Sequence, residues 1–576
     1  MSLLATNVTL ENHAECWHAI NWRKAYRMVR NLRRRIFRAT REGNIKKVRS
    51  LQKLLLKSFS NLVTSLRRCT QESQGKGTAG VDNRIALTPE ERWELVCELQ
   101  VLNDPIASPT RRIKIPKSNG KKRPLGIPTI TDRIRQAVVK NALEPHWEAK
   151  FEPCSYGFRP GRSCHDAIAR IQSNLKQGSK GQPPAKQWVI DADIKGCFDN
   201  IDHEHLKQVI GNFPGRKLIY TWLKAGYINK GNLYPTEAGT PQGGVISPLL
   251  ANIALHGLES ALGVRYRWRK SKKCKRGGYY DKHPTESSNR TVVRYADDFI
   301  ILCESKEDAQ LALKEANAFL SERGLHLSEE KTRICHIDEG FDYLGFNIRR
   351  YRDPKRRSGY ITLIKPAKEK VKEVKQKLRE IWLEKVGNTV ENLVNKINPI
   401  IRGWANYYSH VVSLDTFTEL DHWMFRRECR FTNKRHPTKN HGWKVQRYFG
   451  RLNPNYPNQK WVFGSKETGT FIIRFANTPI VRHNCVPFDD SPDNPDPTAR
   501  EHFEKKTKND EAKKLNKRKQ GIAKKQNFNC PHCKQSLFNG EPYDVHHKVP
   551  KKDGGSDYQN NLVILHRECH KDTHHG

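Results

Sequence analysis

Apolar positions recur at two different spacings along the chain, and the change between them outlines its organisation. Residues 17–68 carry apolar side chains at helical spacing in two runs, which predicts two helices. Gly43 and Asn44 lie between the runs and predict a break there. From 110 to 350, strand-like and helical patterns alternate, which indicates an α/β or α+β body, whereas 361–455 is predicted to be mainly helical.

The stretch PFDDSPDNPDP, residues 487–497, follows neither spacing. Its prolines and mutually repelling carboxylates disfavour helix and strand, so we expect a linker there. A lysine-rich segment of helical character follows at 504–525, and from 526 onward pairs of Cys and His appear. The pattern therefore predicts several domains in succession along the chain, the last of them small.

Two acidic stretches stand inside apolar runs of the mixed region. RYADDFIILCE contains Asp297 and Asp298, and QWVIDADIKGCFDNID places Asp191 and Asp193 on what would be one face of a strand. Joining nucleotides needs two divalent ions close together, one at the attacking hydroxyl and one at the leaving pyrophosphate. Magnesium prefers carboxylate oxygens, so acids converging from two elements predict such a site. Adjacent aspartates are also common at turns, which is the structural alternative.

The balance of charged residues indicates which kind of molecule the protein binds. The chain has 104 Lys and Arg against 61 Asp and Glu, a formal net charge of +43, which implies a polyanion and most simply nucleic acid. No apolar run approaches the roughly 18 residues of a membrane-spanning helix, and no secretory signal is recognised. We therefore expect no membrane partner. The run RNLRRRIFR is either a solvated helical face or an arm that binds a nucleic-acid backbone.

Most of the 14 cysteines occur singly, which is typical of a reducing compartment. The exception is near the C-terminus, where Cys530-x-x-Cys533 is followed by His566-x-x-Cys569. Two short pairs separated by a loop have the spacing of a structural tetrahedral Zn²⁺ site. A module this small has too little core to be stable alone, so a metal ion is expected to hold it together.

Five further segments follow in a specific order: IPKSNGKKRPLGIPTITDRI, YGFRPGRS, AGTPQGGVISPLLANIAL, GLHLSEEKT and FDYLGFNI. With the two acidic stretches they resemble the reverse transcriptases encoded within group II introns, over nearly the whole chain. The resemblance implies an α+β multidomain fold: a right-hand polymerase with fingers and palm, a helical thumb, and a small C-terminal nuclease. The implied domains are a basic helical extension (1–75), fingers and palm (76–350), thumb or maturase domain (351–455), DNA-binding region and linker (456–525), and nuclease (526–576).

The resemblance also implies roles for polymerase residues. The aspartates that hold the catalytic Mg²⁺ would be Asp193, Asp297 and Asp298. The residues that contact the incoming dNTP would be Arg123, Lys114, Phe198 and Gln242. Among these, Phe198 matches the aromatic gate that excludes a 2′-hydroxyl, and its alternative is an ordinary core residue. The basic insertion 265–290 is either a disordered segment or a contact for template or intron RNA.

The C-terminal segment resembles an HNH endonuclease, a small ββα-metal fold. By this resemblance a catalytic divalent ion such as Mg²⁺ would be bound by His546, His570 and His574. His547 would be the general base, Asn561 would orient the loop that carries the base, and Asp544 would support the metal site. A plain zinc finger is the alternative, but a finger does not need this second set of residues.

The resemblance implies a multifunctional protein of a group II intron. It would bind its intron RNA and assist splicing as a maturase, nick target DNA, and extend the DNA primer on an RNA template with dNTPs. We expect it in the cytoplasm of a bacterium, in association with the nucleoid, or in an organelle. The alternatives are a splicing factor with a relic polymerase, and a reverse transcriptase unconnected with an intron.

Overall fold

The computed structural model describes residues 10–101, 107–116, 120, 122–176, 185–270, 282–356, 358–384, 389–512, 515, 517–538 and 541–575. The N-terminal body consists of α1 (Leu10–His18), α2 (Trp22–Arg41), α3 (Ile45–Leu56), α4 (Phe59–Arg67) and α5 (Pro89–Val101). The predicted break between α2 and α3 is present, but the prediction of one helix after it is wrong. The Asn61 side chain donates to the Leu55 carbonyl at 3.0 Å. It thereby satisfies an acceptor at the end of α3, and the chain restarts as α4.

The first half of the mixed region contains five strands and five helices. The strands are β1 (Thr110–Pro116), β2 (Lys122–Ile127), β3 (Trp188–Asp193), β4 (Tyr227–Asn229) and β5 (Asn232–Tyr234). The helices are α6 (Ile130–Glu148), α7 (Cys164–Asn174), α8 (Cys197–Asn200), α9 (His203–Ile210) and α10 (Arg216–Lys224). A four-stranded sheet has the order β2-β1-β4-β5, while β3 belongs to a second sheet. Helix α6 packs against α2, α3 and α4 and so joins the N-terminal body to this region.

The second half of the mixed region completes the second sheet. It contains α11 (Ser247–Ala254), α12 (Leu258–Ala261), β6 (Tyr266–Lys270), β7 (Lys282–Glu286), β8 (Thr291–Tyr295), β9 (Asp298–Cys303), α13 (Lys306–Ser321) and β10 (Arg333–His336). The second sheet is antiparallel with the order β10-β3-β9-β8, and its apolar side chains are buried. Strands β6 and β7 pair across the predicted insertion, whose centre, residues 271–281, lies outside the described residues.

A small sheet leads into the mainly helical region. It comprises β11 (Phe341–Tyr343), β12 (Phe346–Arg352) and β13 (Tyr360–Pro366), followed by α14 (Lys368–Glu384), α15 (Val390–Tyr408), α16 (Leu414–Arg435), α17 (His441–Tyr448), β14 (Phe449–Gly450) and β15 (Val462–Phe463). The aromatic residues of this region are largely core: Tyr408 is buried, and its ring lies 4.4 Å from that of Trp404. One hydrophobic core continues from β9 into α15 and α16, so the helices are anchored on the second sheet.

The predicted linker is not a free tether. No helix or strand forms between 487 and 496, as expected, but Asp493 accepts two hydrogen bonds from Arg33 of α2, at 2.9 and 2.6 Å. Arg162 donates to the carbonyl oxygen of Phe488 at 2.8 Å. The segment is therefore held against the N-terminal body, because its carboxylates neutralise Arg33 and Arg41.

The chain ends with α18 (Pro497–Ala512), α19 (Lys517–Lys525), β16 (Tyr543–His547), β17 (Leu562–His566) and α20 (Arg567–His575). Strands β16 and β17 pair antiparallel, and α20 follows β17 directly. This segment has its own small core. Among the described residues, no helix is long and apolar enough to cross a membrane.

Candidate active sites and metal centre

Three carboxylates meet where β3 and β9 pair. Asp193 and Asp298 are directly opposite one another in the antiparallel register. Asp297 lies in the two-residue turn between β8 and β9, next to Ala296, which has a φ of 60°. A left-handed residue at this position gives the tight turn that suits the twist of a hairpin. The structure thus brings together the three aspartates that the sequence analysis selected.

Residues behind the turn hold its geometry. The guanidinium of Arg294 is fully buried and donates to Ser155 Oγ at 2.8 Å and to the carbonyl of Ala296 at 3.2 Å. A Cβ at Gly157 would lie 2.3 Å from the backbone nitrogen of Ala296. Only glycine therefore allows this close approach. The YGFRP segment and the RYADD hairpin support one another, which preorganises the carboxylates.

The carboxylates raise one another's affinity for protons. Burial, a hydrogen bond with Asp193 and the charge of Asp297 raise the pKa of Asp298 to about 7. Burial and the charge of Asp193 also raise the pKa of Asp297. Such concentrated negative charge favours a bound cation. The donor set of three carboxylates fits Mg²⁺, which takes one or two carboxylates and keeps sites for substrate phosphates.

Lys331 is a site residue that the sequence analysis missed. Its ammonium donates to Asp193 Oδ2 at 2.6 Å. It belongs to the segment GLHLSEEKT, which was recognised as a motif but given no role. Asp191, by contrast, pairs with Arg333 of β10 at 3.3 Å.

Two of the four residues predicted to contact dNTP, Arg123 and Gln242, form a hydrogen-bonded chain with Asp199. Arg123 Nε donates to Gln242 Oε1 at 3.0 Å, and Gln242 Nε2 donates to Asp199 Oδ2 at 3.4 Å. A cavity of about 220 Å³ is lined by Phe198, Asp199 and Gln242 among others. Lys114 does not line it. It lies on β1 and lines an adjoining depression, which shares Arg112, Pro124 and Tyr227 with the cavity.

Phe198 is buried, and its ring meets the edge of Phe158 with centroids 6.1 Å apart. Phe158 is itself 50% exposed and has a φ of 60°. An exposed aromatic residue held in a left-handed conformation is strained, and such strain concentrates at functional sites. The motif YGFRPGRS was the available signal, but the exposure of its phenylalanine could not be inferred from it.

The four predicted zinc ligands converge. One donor atom from each of Cys530, Cys533, His566 and Cys569 lies within 4.8 Å of the others. His566 Nδ1 is 3.3 Å from the sulfur of Cys533, while its Nε2 bonds the carbonyl of Ser536 at 3.0 Å. That second bond sets the tautomer that points Nδ1 at the thiols. Hydrogen bonds from Cys533 and Cys569 lower the pKa of the Cys530 thiol. The donor chemistry fits a tetrahedral thiolate-imidazole metal centre.

The second set of nuclease residues is brought together in part. The rings of His546 on β16 and His570 on α20 lie 5.0 Å apart. His574 follows on α20, but its side chain lies outside the described residues. His547, the next residue after His546, faces the opposite side of a regular strand. Its Nε2 is 2.8 Å from Asp557 Oδ1, a partner that the sequence analysis missed.

Two supporting residues have clear contacts. Asn561 donates to the carbonyls of Val549 and Ser556 at 3.0 and 2.8 Å and accepts from Val549 N–H at 2.9 Å. It thus closes the loop that follows His547. Asp544 pairs with Arg567 Nε at 3.1 Å, at the start of α20. These contacts position the strand and the helix that carry the histidines.

Comparisons with known families cover most of the chain in four successive pieces. Family models match as the N-terminal domain of reverse transcriptase over 17–99, reverse transcriptase (RNA-dependent DNA polymerase) over 115–348, the group II intron maturase-specific domain over 371–449, and HNH endonuclease over 530–576. The predicted class of an α+β multidomain protein with a reverse transcriptase and a C-terminal HNH nuclease is thereby confirmed.

Individual relatives agree with the family models. The group II intron-encoded protein LtrA of Lactococcus lactis subsp. cremoris is 33% identical over 428 residues, which cover 62% of this chain and 69% of LtrA. Protein YkfC of Escherichia coli K12 is 36% identical over 310 residues, covering 50% of this chain and 79% of YkfC. The protein is a group II intron-encoded protein, with reverse transcriptase, maturase and HNH endonuclease domains.

Proposed function

We propose that Asp193, Asp297 and Asp298 form the polymerase active site, in a palm that belongs to a right-hand arrangement. The observation that carries this proposal is the register of Asp193 with Asp298, with Asp297 in the adjoining turn. Mg²⁺ bound there would stabilise the negative charge that develops on the transferred nucleotidyl group. Because the set of three carboxylates is intact, we favour an active enzyme over a splicing factor with a relic polymerase.

The rest of the polymerase follows from this placement. Residues 76–350 would form fingers and palm, 351–455 the thumb that binds intron RNA, and 1–75 a basic extension. Arg123 and Gln242 would orient the incoming dNTP from one side, and Phe198 would lie against its sugar. Lys114, which lines the adjoining depression, would act on the template or triphosphate through its charge. RNA template and DNA primer would lie at the end of the second sheet that carries Asp193 and Asp298.

Asp297→Asn tests this assignment. We expect primer extension on an RNA template to fall by roughly 10³-fold or more, because a metal ligand contributes several kcal/mol to the transition state. Splicing assistance should persist, since RNA folding uses other surfaces. Asp342→Asn is the matched control, since Asp342 is an exposed carboxylate on β11. Substantial extension by Asp297→Asn would exclude Asp297 as a metal ligand.

For the C-terminal segment, 526–576, the proposed chemistry is a nick in target DNA that supplies the primer. His546 and His570, with His574, would hold a divalent ion that polarises the scissile phosphate. His547, oriented by Asp557, would accept the proton of the attacking water. Cys530, Cys533, His566 and Cys569 would hold a structural Zn²⁺. The preceding region, 456–525, would contact DNA. The setting of this cycle would be a bacterial cytoplasm with nucleoid DNA, and an organelle is the alternative.

A pair of variants separates the two metal sites. His547→Ala should abolish nicking while the segment stays resistant to protease, because a general base does not hold the chain together. Cys530→Ser should make the segment protease-sensitive, since structural zinc contributes on the order of 10 kcal/mol to folding. Nicking by His547→Ala, or a resistant tail in Cys530→Ser, would contradict the division into one catalytic and one structural site.

A further inference from the structure

The nuclease segment and the N-terminal helices meet at a buried ion pair. Arg67, the last residue of α4, donates from Nε to Glu541 Oε1 at 2.7 Å. Its Nη2 also bonds this carboxylate, and the two side chains are only 3% and 2% exposed. The partners are 474 residues apart in sequence. A buried charge that loses its partner is strongly unfavourable, so each residue depends on the other.

The N-terminal side of this contact is built around the guanidinium. Its carbon lies 4.5 Å from the centre of the Trp22 ring. Tyr26 donates to Glu72 at 2.6 Å, and the same Glu72 oxygen lies 3.9 Å from Arg67 Nε. Stacking and a second carboxylate fix the planar guanidinium in one orientation. Arg67 therefore offers a preformed receptor for a carboxylate.

The other side of the contact adjoins the Cys/His centre. Glu541 Oε2 lies 3.7 Å from Nδ1 of His566, the nitrogen that faces the sulfur of Cys533. A cavity of about 360 Å³ separates the two bodies beside the ion pair, lined by Trp17 and Trp22 from one and by Cys533 and Cys569 from the other. Glu541 thus touches both the metal-ligating set and the N-terminal receptor.

We propose that Arg67 and Glu541 form a latch that docks the nuclease segment on α4 and fixes where it cuts. The N-terminal helices would then be a positioning surface for DNA cleavage, in addition to any contact with RNA. Arg67 is a positioning residue, since it touches neither DNA nor a catalytic ion. The docking stands on the contacts described above, while its consequence for cleavage rests on the proposed nuclease function.

Docking is tested on the full chain by hydrogen exchange. We expect Arg67→Met and Glu541→Gln to speed exchange of backbone amides at 17–23 and 532–534 by roughly tenfold or more, because a broken buried pair loosens its surroundings. Arg68→Met is the matched control, since Arg68 is the exposed neighbour and carries the same charge. Bound zinc is measured in parallel, to separate undocking from loss of the metal. Unchanged exchange in both variants would overturn the latch.

Cutting is tested with the protein bound to its intron RNA and an end-labelled duplex spanning the intron's insertion site. Both single variants should nick at the original position roughly tenfold more slowly and produce additional nick positions, because a tethered but undocked module samples many orientations. Primer extension on an annealed template should be unchanged. The double reversal Arg67→Glu with Glu541→Arg should recover part of the original cutting pattern, which a general loss of stability would not allow.

Failure of the proposed nuclease function and failure of the latch give different experimental results. If the unaltered protein does not nick, the proposed nuclease function fails, and hydrogen exchange still decides the latch. If Arg67→Met loses primer extension and so is misfolded, Glu541→Gln decides, because it changes the nuclease side alone. An unchanged cutting position and rate in a folded, undocked variant would overturn the positioning role.

Discussion

At the scale of single residues, the site of three carboxylates balances their mutual repulsion against the neighbouring cations Lys331 and Arg123. Asp298 is opposite Asp193, and Asp297 is in the adjoining turn, so their charges are mutually unfavourable. Lys331 offsets part of this repulsion at Asp193 and is itself 63% exposed. Exposed pairs of this kind are worth about 0.2–1 kcal/mol. Lys331 therefore competes only weakly with a metal ion for Asp193.

This competition gives a first prediction. Lys331→Met should lower the Mg²⁺ concentration that half-saturates primer extension by roughly two- to fivefold, the equivalent of a pair worth about 0.5–1 kcal/mol. Lys195→Met, an exposed lysine just beyond β3, is the control. The measurement is a Mg²⁺ titration at saturating dNTP. A higher Mg²⁺ requirement in Lys331→Met would show that the ammonium assists metal binding.

Phe198 gives a second prediction at this scale. Its buried ring adjoins the cavity that Gln242 lines. A smaller side chain at this position should therefore leave room for the 2′-hydroxyl of a ribonucleotide. Phe198→Val is expected to raise the ratio of ribonucleotide to deoxynucleotide incorporation by roughly 10–200-fold, the range for a lost steric contact of this size. Competition between dNTP and rNTP in single-nucleotide extension measures it. An unchanged ratio would leave Phe198 as a core residue.

At the scale of elements, α16 is notable for two acids on the side that it buries. Burial raises the pKa of Glu428 to about 8, and it raises the pKa of Asp421 to about 6. Asp421 accepts from the backbone N–H of Phe475 and Ala476 at 2.7 and 2.9 Å. It therefore caps the segment that follows, whereas Glu428 faces a mainly apolar core.

A pH-dependent stability follows for α16. Because the folded pKa of Glu428 is raised above its unfolded value, its stabilising contribution is complete below about pH 4.5 and is lost as pH rises to about 8. Glu428→Gln should thus gain stability relative to the unaltered protein by up to about 1.4 kcal/mol per pH unit across this window. Hydrogen exchange of α16 in the RNA-free protein measures the gain, with the exposed Glu419→Gln as control. A gain independent of pH would contradict the buried-acid explanation.

At the scale of the whole molecule, arginines of the N-terminal and C-terminal regions lie close together at Arg34. Partial burial lowers the pKa of Arg34 on α2, and the nearby Arg500 of α18 and Arg30 lower it further. Guanidiniums that repel one another across 466 positions of sequence are stabilised when a polyanion lies between them. The net charge of +43 is thus visible in the structure as arginines that are far apart in sequence but lie close together.

Binding of intron RNA should therefore depend steeply on salt. If the basic surface neutralises six or more phosphates, affinity should fall by roughly 10³-fold between about 50 and 200 mM monovalent salt, through counterion release. Filter binding at a series of salt concentrations measures the slope. Arg34→Gln and Arg500→Gln should each reduce the slope. A flat salt dependence would show that another surface carries the binding.

The sequence was informative wherever function is carried by neighbours in the chain. Asp297 and Asp298 and the two Cys/His pairs were found from local patterns, and the structure brings Asp298 opposite Asp193 and the four Cys/His residues together. Two partners from distant segments were missed, Lys331 with Asp193 and Glu541 with Arg67, and so was Asp557, which pairs with His547 from ten residues further along the chain. Local patterns carry no information on which distant segments will meet. The packed state of 487–496 was missed for the same reason, since composition describes solubility and not the surface a segment will contact.

The long-range arginine contacts have a consequence for synthesis on the ribosome. Arg33 and Arg67 lie in the first helices, but their partners Asp493 and Glu541 follow 460 and 474 residues later. At about 5–20 residues per second, the N-terminal body waits roughly half a minute to a minute and a half for these partners. During that interval Arg33 can pair with Glu144 and Arg67 can approach Glu72, but each guanidinium still lacks its later carboxylate and is more open to any RNA nearby. For a protein translated from the intron that it binds, the nascent chain would thus be most receptive to RNA while its own message is still being read.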